Sequence, residues 1–177
     1  MKKVRPPQVA GYFYPAEADT LYNEIQRMLS EAKLNKTFDK IIGIVSPHAG
    51  YMYSGKTAAF AYNAIKNKDY KTAIVISPSH SEYFPGISIY DGEAYQTPLG
   101  IVEIDEDKAQ KLVQGSKLIF RGVQGHRREH ALEVQIPFLQ TVLNDFKIVP
   151  IVMGDQSKVF VDELARKLAE VMDDKTI

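Results

Sequence analysis

Two short segments constrain this chain more than any other feature. "KIIGIVSPHAGY" (40–51) and "KTAIVISPSHSEY" (71–83) share one plan: a nearly unbroken apolar run, a Ser-Pro pair, a histidine within two residues, then a tyrosine. A short apolar run without polar alternation marks a strand covered on both faces. Proline lacks an N–H, so it ends the ladder and sends the chain out of the sheet. His48 and His80 are therefore expected at the carboxyl ends of two parallel strands, the edge where open α/β sheets bind ligands.

The intervening segments switch to a helical period. "AEADTLYNEIQRMLSEAKL" puts Leu21, Ile25, Met28 and Leu29 on one face, and "SGKTAAFAYNAIKN" is Ala-rich and helical. "GISIYDG" and "YQTPLGIVEID" read as shorter strands, and "DEDKAQKLVQG" as a helix stopped by Gly115. In the helical stretch "EHALEVQIPFLQTVL", Pro137 either kinks the helix or sits in its first turn. "FKIVPIVMGD" is a third strong strand, and "SKVFVDELARKLAEVMDD" a helix burying Val161, Leu164, Leu168 and Val171. This alternation predicts one α/β domain over residues 1–177, with a mainly parallel central sheet and helices on both faces. The sequence stops at "KTI", just after a helix, where the alternation calls for another strand. It is expected to be the amino-terminal part of a longer domain.

At 177 residues such a domain can bury roughly 70% of its unfolded surface. Lys plus Arg and Asp plus Glu are balanced at 22 each, so no basic excess supports a nucleic-acid or membrane-surface partner. No cysteine is present, which removes disulfides and thiolate ligands and is compatible with a reducing compartment. The basic start "MKK" has no apolar run behind it, and no segment reaches the ~20 apolar residues of a membrane span. A soluble, cytoplasmic protein is expected.

A rival motif overlaps the first segment. Gly50 to Thr57 reads Gly-x-x-x-x-Gly-Lys-Thr, the pattern of a phosphate-binding loop. Its free positions are Tyr51, Met52, Tyr53 and Ser54, and two tyrosines would crowd a phosphate cradle. Four residues also separate the apolar run from Gly50. Nucleotide binding is disfavoured.

Two histidines delivered alike to one edge point to a metal, since imidazole suits iron, zinc or copper. His130 and Glu133, in "GHRREHALE", would share a helical face and could form an orienting pair or proton relay at the site. The same stretch also reads as a solvated helix start, with Glu129 near the positive dipole end. Arg127 and Arg128 are more readily solvated than an anion clamp. Asp155 could be a ligand or a hydrogen-bond partner, but a helix-cap role shared with Ser157 is simpler. Tyr51, Tyr53 and Tyr83 could wall an aromatic pocket or merely pack at the sheet edge.

The blocks "VAGYFYP", "SPHAGYMYSG", "SPSH", "TPLG", "EHALEVQIPFL" and "GDQ" together resemble the Memo family, the B component of the AmmeMemoRadiSam group. That resemblance implies the fold of class III extradiol dioxygenases, which hold Fe(II) with two histidines and a carboxylate and cleave catechol rings. Carried over, it implies His48 and His80 as Fe(II) ligands, with Zn or Cu as other occupants. The family's next block, of "SSD-x-x-H" type, is not within these 177 residues, so the third ligand and the base are expected beyond Ile177. The resemblance also implies metal-dependent redox chemistry and, from animal members, binding of phosphotyrosine-containing receptor peptides. The expectations are therefore a dioxygenase-type oxidoreductase acting on a catechol-like small molecule or, alternatively, a non-catalytic module holding a peptide or anion in the histidine-lined cleft. A homodimer is compatible with either.

Overall fold

The structure, a computed structural model, describes residues 3–177; Met1 and Lys2 of the basic start lie outside them. The elements are β1 (Val4–Arg5), α1 (Ala18–Glu31), α2 (Tyr51–Ile65), β2 (Thr72–Pro78), β3 (Ile87–Tyr90), β4 (Ala94–Thr97), β5 (Gly100–Glu103), α3 (Glu106–Val113), β6 (Ile119–Gly122), a 3-10 turn (Glu133–Gln135), α4 (Ile136–Val142), β7 (Lys147–Met153) and α5 (Lys158–Val171). The α/β class is as expected.

The larger sheet runs β2-β7-β3-β6. β2 pairs with β7 in parallel from Thr72↔Lys147 to Pro78↔Met153, and β3 with β6 in parallel, but β3 meets β7 antiparallel. The sheet is thus mixed, with two of its three junctions parallel. β7 occupies its interior and is buried from Ile148 to Met153, as its continuous apolar run requires. Pro150 is tolerated there because β3 pairs no further along β7 than Ile151. A second sheet, β1-β4-β5, comes from the short strands around "TPLG". The strand β6 and the pairing of Val4–Arg5 with Ala94–Tyr95 were not foreseen.

α1 buries Leu21, Ile25, Met28 and Leu29, the face read from its period. Glu17 caps it, accepting from the N–H groups of Asp19 and Thr20. α1, α2 and α4 pack on one another, and α3 packs on α5. On α5 the buried residues are Phe160, Leu164, Lys167 and Val171; Val161 is exposed, so the predicted face was rotated by about one residue. Pro137 sits in the first turn of α4, where its missing N–H costs nothing.

Gly50 is the N-cap of α2, and Tyr51 to Thr57 form its first turns. No phosphate-cradling loop exists at this motif. Gly55 is a packing glycine instead: a Cβ there would lie 2.5 Å from Met28 Sδ of α1. Lys56 pairs with Glu31 at 3.0 Å on the surface.

The larger correction concerns Ile41 to Pro47. This run is no strand: among the described residues its backbone forms no ladder, and Ile42 and Val45 are 74% and 97% exposed. An apolar run becomes a buried strand only when neighbours pair with it on its edges, and nothing described here does so.

The amino-terminal segment is tied to the core by one carboxylate. Glu133, 0% exposed, pairs with Arg5 Nη1 at 2.6 Å and accepts from the N–H groups of Gln8 and Val9 and from Tyr14 Oη at 2.7 Å. Arg5 also donates to the carbonyls of His126 (2.6 Å) and Glu129 (2.8 Å). Removing one member of a buried pair strands the other charge. Arg5→Met is expected to cost about 3–5 kcal/mol, read as a lowered midpoint in urea unfolding.

Candidate metal centre

Three histidines converge where β2 leaves the sheet. One ring nitrogen from each of His48, His80 and His130 lies within 4.8 Å of the others. The ring centroids are 5.1 Å apart for His48–His80, 4.6 Å for His80–His130 and 6.0 Å for His48–His130.

His80 follows the Ser-Pro end of β2, where Ser79 N–H still bonds to Met153 O. Its backbone N–H and Nδ1 reach the two carboxylate oxygens of Glu129, at 2.8 and 2.9 Å. A carboxylate can only accept, so Nδ1 carries the proton and Nε2 keeps its lone pair for a ligand. Glu129 is buried and also accepts from Ala131 N–H. Burial pushes its carboxyl up, but N–H donation from His80 and Ala131 outweighs this and holds it below the usual glutamate value.

His130 stands 3.7 Å from the same Glu129 oxygen through Nδ1 and packs on the Phe13 ring. Burial lowers its pKa, Glu129 opposes the shift, and the neighbouring rings of His80 and His48 add to it. A neutral imidazole, the form that binds metals, results. His48 precedes the N-cap of α2, and the carbonyl of Pro47 before it accepts from Gln135 Nε2 at 3.1 Å. Gln135 is in turn held by Tyr62 Oη at 2.6 Å.

The expected partnership of His130 with Glu133 does not form. Residues 129–132 are not helical, so the two share no helix face, and Glu133 faces Arg5 and Tyr14. Glu129, read as a solvated helix-start acid, takes the place beside the histidines. Its signal in sequence was slight: an acid immediately before a histidine. Gln135 had none. His130 itself was expected near the site as a relay, with a third ligand beyond Ile177; the structure instead groups it with His48 and His80.

Tyr51 is 4% exposed, packs on Tyr14 and Phe138 and donates to Val134 O, so its ring is sealed in the core rather than walling a pocket. Tyr53 and Tyr83 are exposed, and Tyr83 donates to Asp155 at 3.2 Å. Asp155 accepts from Ser157 N–H at 2.7 Å and shapes the turn before α5, while Ser157 is the N-cap residue. Arg127 makes an exposed contact with Glu82.

The fourth histidine is structural. His126 is buried, with Tyr95 Oη at 2.6 Å from Nδ1 and Ser88 O at 3.2 Å from Nε2. The carbonyl needs a donor, so Nε2 carries the proton and Nδ1 accepts from the tyrosine. Burial is the main cause that pushes its pKa down to about 3. The unfolded chain binds this proton near pH 6.5, so the stabilisation is complete above that pH. It is lost as pH falls from about 6.5 toward about 3, at up to about 1.4 kcal/mol per pH unit. The imidazole 15N shifts of His126 should stay those of a neutral ring between about pH 8 and 5.

A family profile described as Memo-like protein matches residues 5–177. A MEMO1 family protein of Thermoplasma volcanium is 40% identical over 166 residues, 93% of this chain and 61% of the relative. Counterparts from Nitrosopumilus maritimus (36% over 173 residues) and Thermoplasma acidophilum (37% over 171 residues) are covered over 63% of their length, by 95% and 96% of this chain. The chain thus spans less than two thirds of these relatives. A profile match over almost the whole sequence, joined to close relatives along the same span, places this chain in the Memo family.

Proposed function

We propose that this Memo-family chain is a non-haem metalloprotein with His48, His80 and His130 as its metal ligands and Fe(II) as the resident ion. The observation that carries this is the approach of three imidazole nitrogens to within 4.8 Å on a partly open surface. Neutral nitrogen donors suit iron, zinc or copper better than magnesium or calcium. Iron is favoured by the resemblance to extradiol dioxygenases, and a chain without cysteine fits a reducing cytoplasm in which Fe(II) persists.

The residues supply orientation and proton control. Glu129 fixes the His80 tautomer and ring plane through Nδ1. Its Oε1 lies 2.9 Å from His80 Nδ1 and 3.7 Å from His130 Nδ1, so one buried carboxylate orients the first ring and faces the second. Iron held on one side by three imidazoles would offer open positions to a catecholate and O2, giving an oxidoreductase of dioxygenase type. Tyr53 and Tyr83, both exposed, would be the aromatic rings offered to such a ligand. A peptide or anion in the cleft without metal is the competing use. Neither use calls for nucleic acid, a membrane or a particular oligomer, and a homodimer fits both.

An anaerobic Fe(II) titration by calorimetry tests the reading. One equivalent should bind, and His48→Ala, His80→Ala and His130→Ala should each abolish stoichiometric binding while keeping the far-ultraviolet circular dichroism of the parent. Glu129→Gln should weaken binding about 10–100-fold. Binding of Zn(II) but not Fe(II) would transfer the site to another chemistry, and no binding of Fe, Zn or Cu would end the metal reading.

A further inference from the structure

Two loops meet at the three histidines. Residues 79–86 leave β2 with His80, and residues 123–132 carry Glu129 and His130. The second loop has little regular bonding of its own. Among the described residues, positions 123–129 make one backbone–backbone hydrogen bond with each other, His126 N–H to Val123 O at 3.1 Å. Side chains hold the loop instead. Arg5 takes its carbonyls at His126 and Glu129, at 2.6 and 2.8 Å. The N–H of Gly125 goes to Glu82, whose Oε1 accepts it, while Oε2 accepts from Arg127 Nη1 at 3.2 Å. Glu82 lies two residues after His80 and is fixed by its own neighbours. Ser79 Oγ donates to its carbonyl at 2.5 Å, and the buried Phe84 packs against Gly125 and Gly154. Gly125 has φ +76°, and a Cβ there would lie 2.5 Å from Val152 Cγ1 and 3.0 Å from Phe84 Cε1. Only glycine lets the second loop come this close to the first.

Two of these contacts mirror each other. Glu129 of the second loop accepts from the backbone N–H of His80 in the first, at 2.8 Å. Glu82 of the first loop accepts from the backbone N–H of Gly125 in the second. Each loop thus lends a carboxylate to the main chain of the other, and an N–H bonded to a carboxylate is among the stronger hydrogen bonds. We infer, resting on the three-histidine metal reading, that Glu82 is a positioning residue of the centre: with Glu129 it closes a reciprocal clasp that sets the separation of His80 from His130. The geometry shows why one carboxylate is not enough. His80 Nδ1 is bonded to Glu129 at 2.9 Å, but His130 Nδ1 stands 3.7 Å from it, beyond hydrogen-bonding distance. Apart from its packing on Phe13, the His130 ring is therefore placed by the path of its loop. Arg5 fixes that path through two carbonyls and Glu82 through an N–H. Groups that hold a metal ligand in place from behind weaken binding when removed. The Arg127 contact is a lesser matter, since that side chain is 62% exposed and such a pair contributes little.

Three variants test the clasp. Glu82→Ala removes the acceptor, Glu82→Gln keeps an oxygen for Gly125 N–H, and Arg127→Ala removes only the surface partner. In the metal-free protein, Glu82→Ala should speed amide exchange at Gly125 about tenfold or more while the amides of β7 keep their protection. The same variant should lose the nuclear Overhauser cross-peaks between the rings of His80 and His130, whose centroids are 4.6 Å apart in the parent. In an anaerobic Fe(II) titration, Glu82→Ala should bind about tenfold more weakly and Glu82→Gln within about threefold of the parent. Arg127→Ala should stay within about twofold. Unchanged Fe(II) affinity in Glu82→Ala would overturn the proposal, and so would a loss in Glu82→Gln as large as that in Glu82→Ala. A parent that binds no metal would end the metal reading alone. The spacing role of the clasp would then be decided by the ring cross-peaks: their loss in Glu82→Ala upholds it, and their survival unchanged overturns it.

Discussion

The buried Arg5–Glu133 pair is the constraint on which the rest of the site depends. Arg5 belongs to β1, and Glu133 opens the turn into α4, 128 residues away. Burying two charges is unfavourable unless both are fully hydrogen-bonded. Here the carboxylate is shared by Arg5, two backbone N–H groups and Tyr14, and the guanidinium reaches the carbonyls of His126 and Glu129 as well. Those two carbonyls belong to the loop that carries Glu129 and His130. A single side chain from the second sheet therefore sets the path of a loop that lacks regular structure of its own.

The same economy appears at the histidines. Glu129 is buried yet ionised because it receives three N–H bonds, and two of them come from His80. One residue thereby orients a ring whose own position is set by the end of β2. His48 depends on a different support, Gln135, itself gripped by Tyr62 on α2. Three imidazoles reach one point because the end of β2, the start of α2 and the loop before α4 are each pinned by buried hydrogen bonds. His126 shows the contrast: the same residue type, in the same loop, is enclosed by Tyr95 and Ser88 and serves only to hold the fold.

Stability is not evenly spread. β7 is paired on both edges and buried from Ile148 to Met153, whereas among the described residues the run from Ile41 to Pro47 has side-chain contacts but no ladder. His48 follows that run. The site therefore joins His80, held by the end of a paired strand and by Glu129, to His48, which is supported through Pro47 by Gln135.

The sequence by itself determined the α/β class, the amphipathic face of α1, and a common edge for His48 and His80, although only His80 leaves a strand there. These are local properties: period, proline geometry and spacing act within a few residues. The rejection of the phosphate-loop reading was also local, since two tyrosines at its free positions would crowd a phosphate cradle. The tertiary structure alone decided which acid joins the site and which tyrosine is sealed away. Glu129 and Glu133 lie on either side of His130 in sequence, and no periodicity separates them; Arg5 claims one and His80 the other because of where β1 and β2 end. Likewise, "IIGIV" and "AIVIS" carry the same apolar signal, but a strand exists only where a second backbone satisfies its N–H and C=O groups. Composition records the wish to be buried, and the fold decides what is there to bury it.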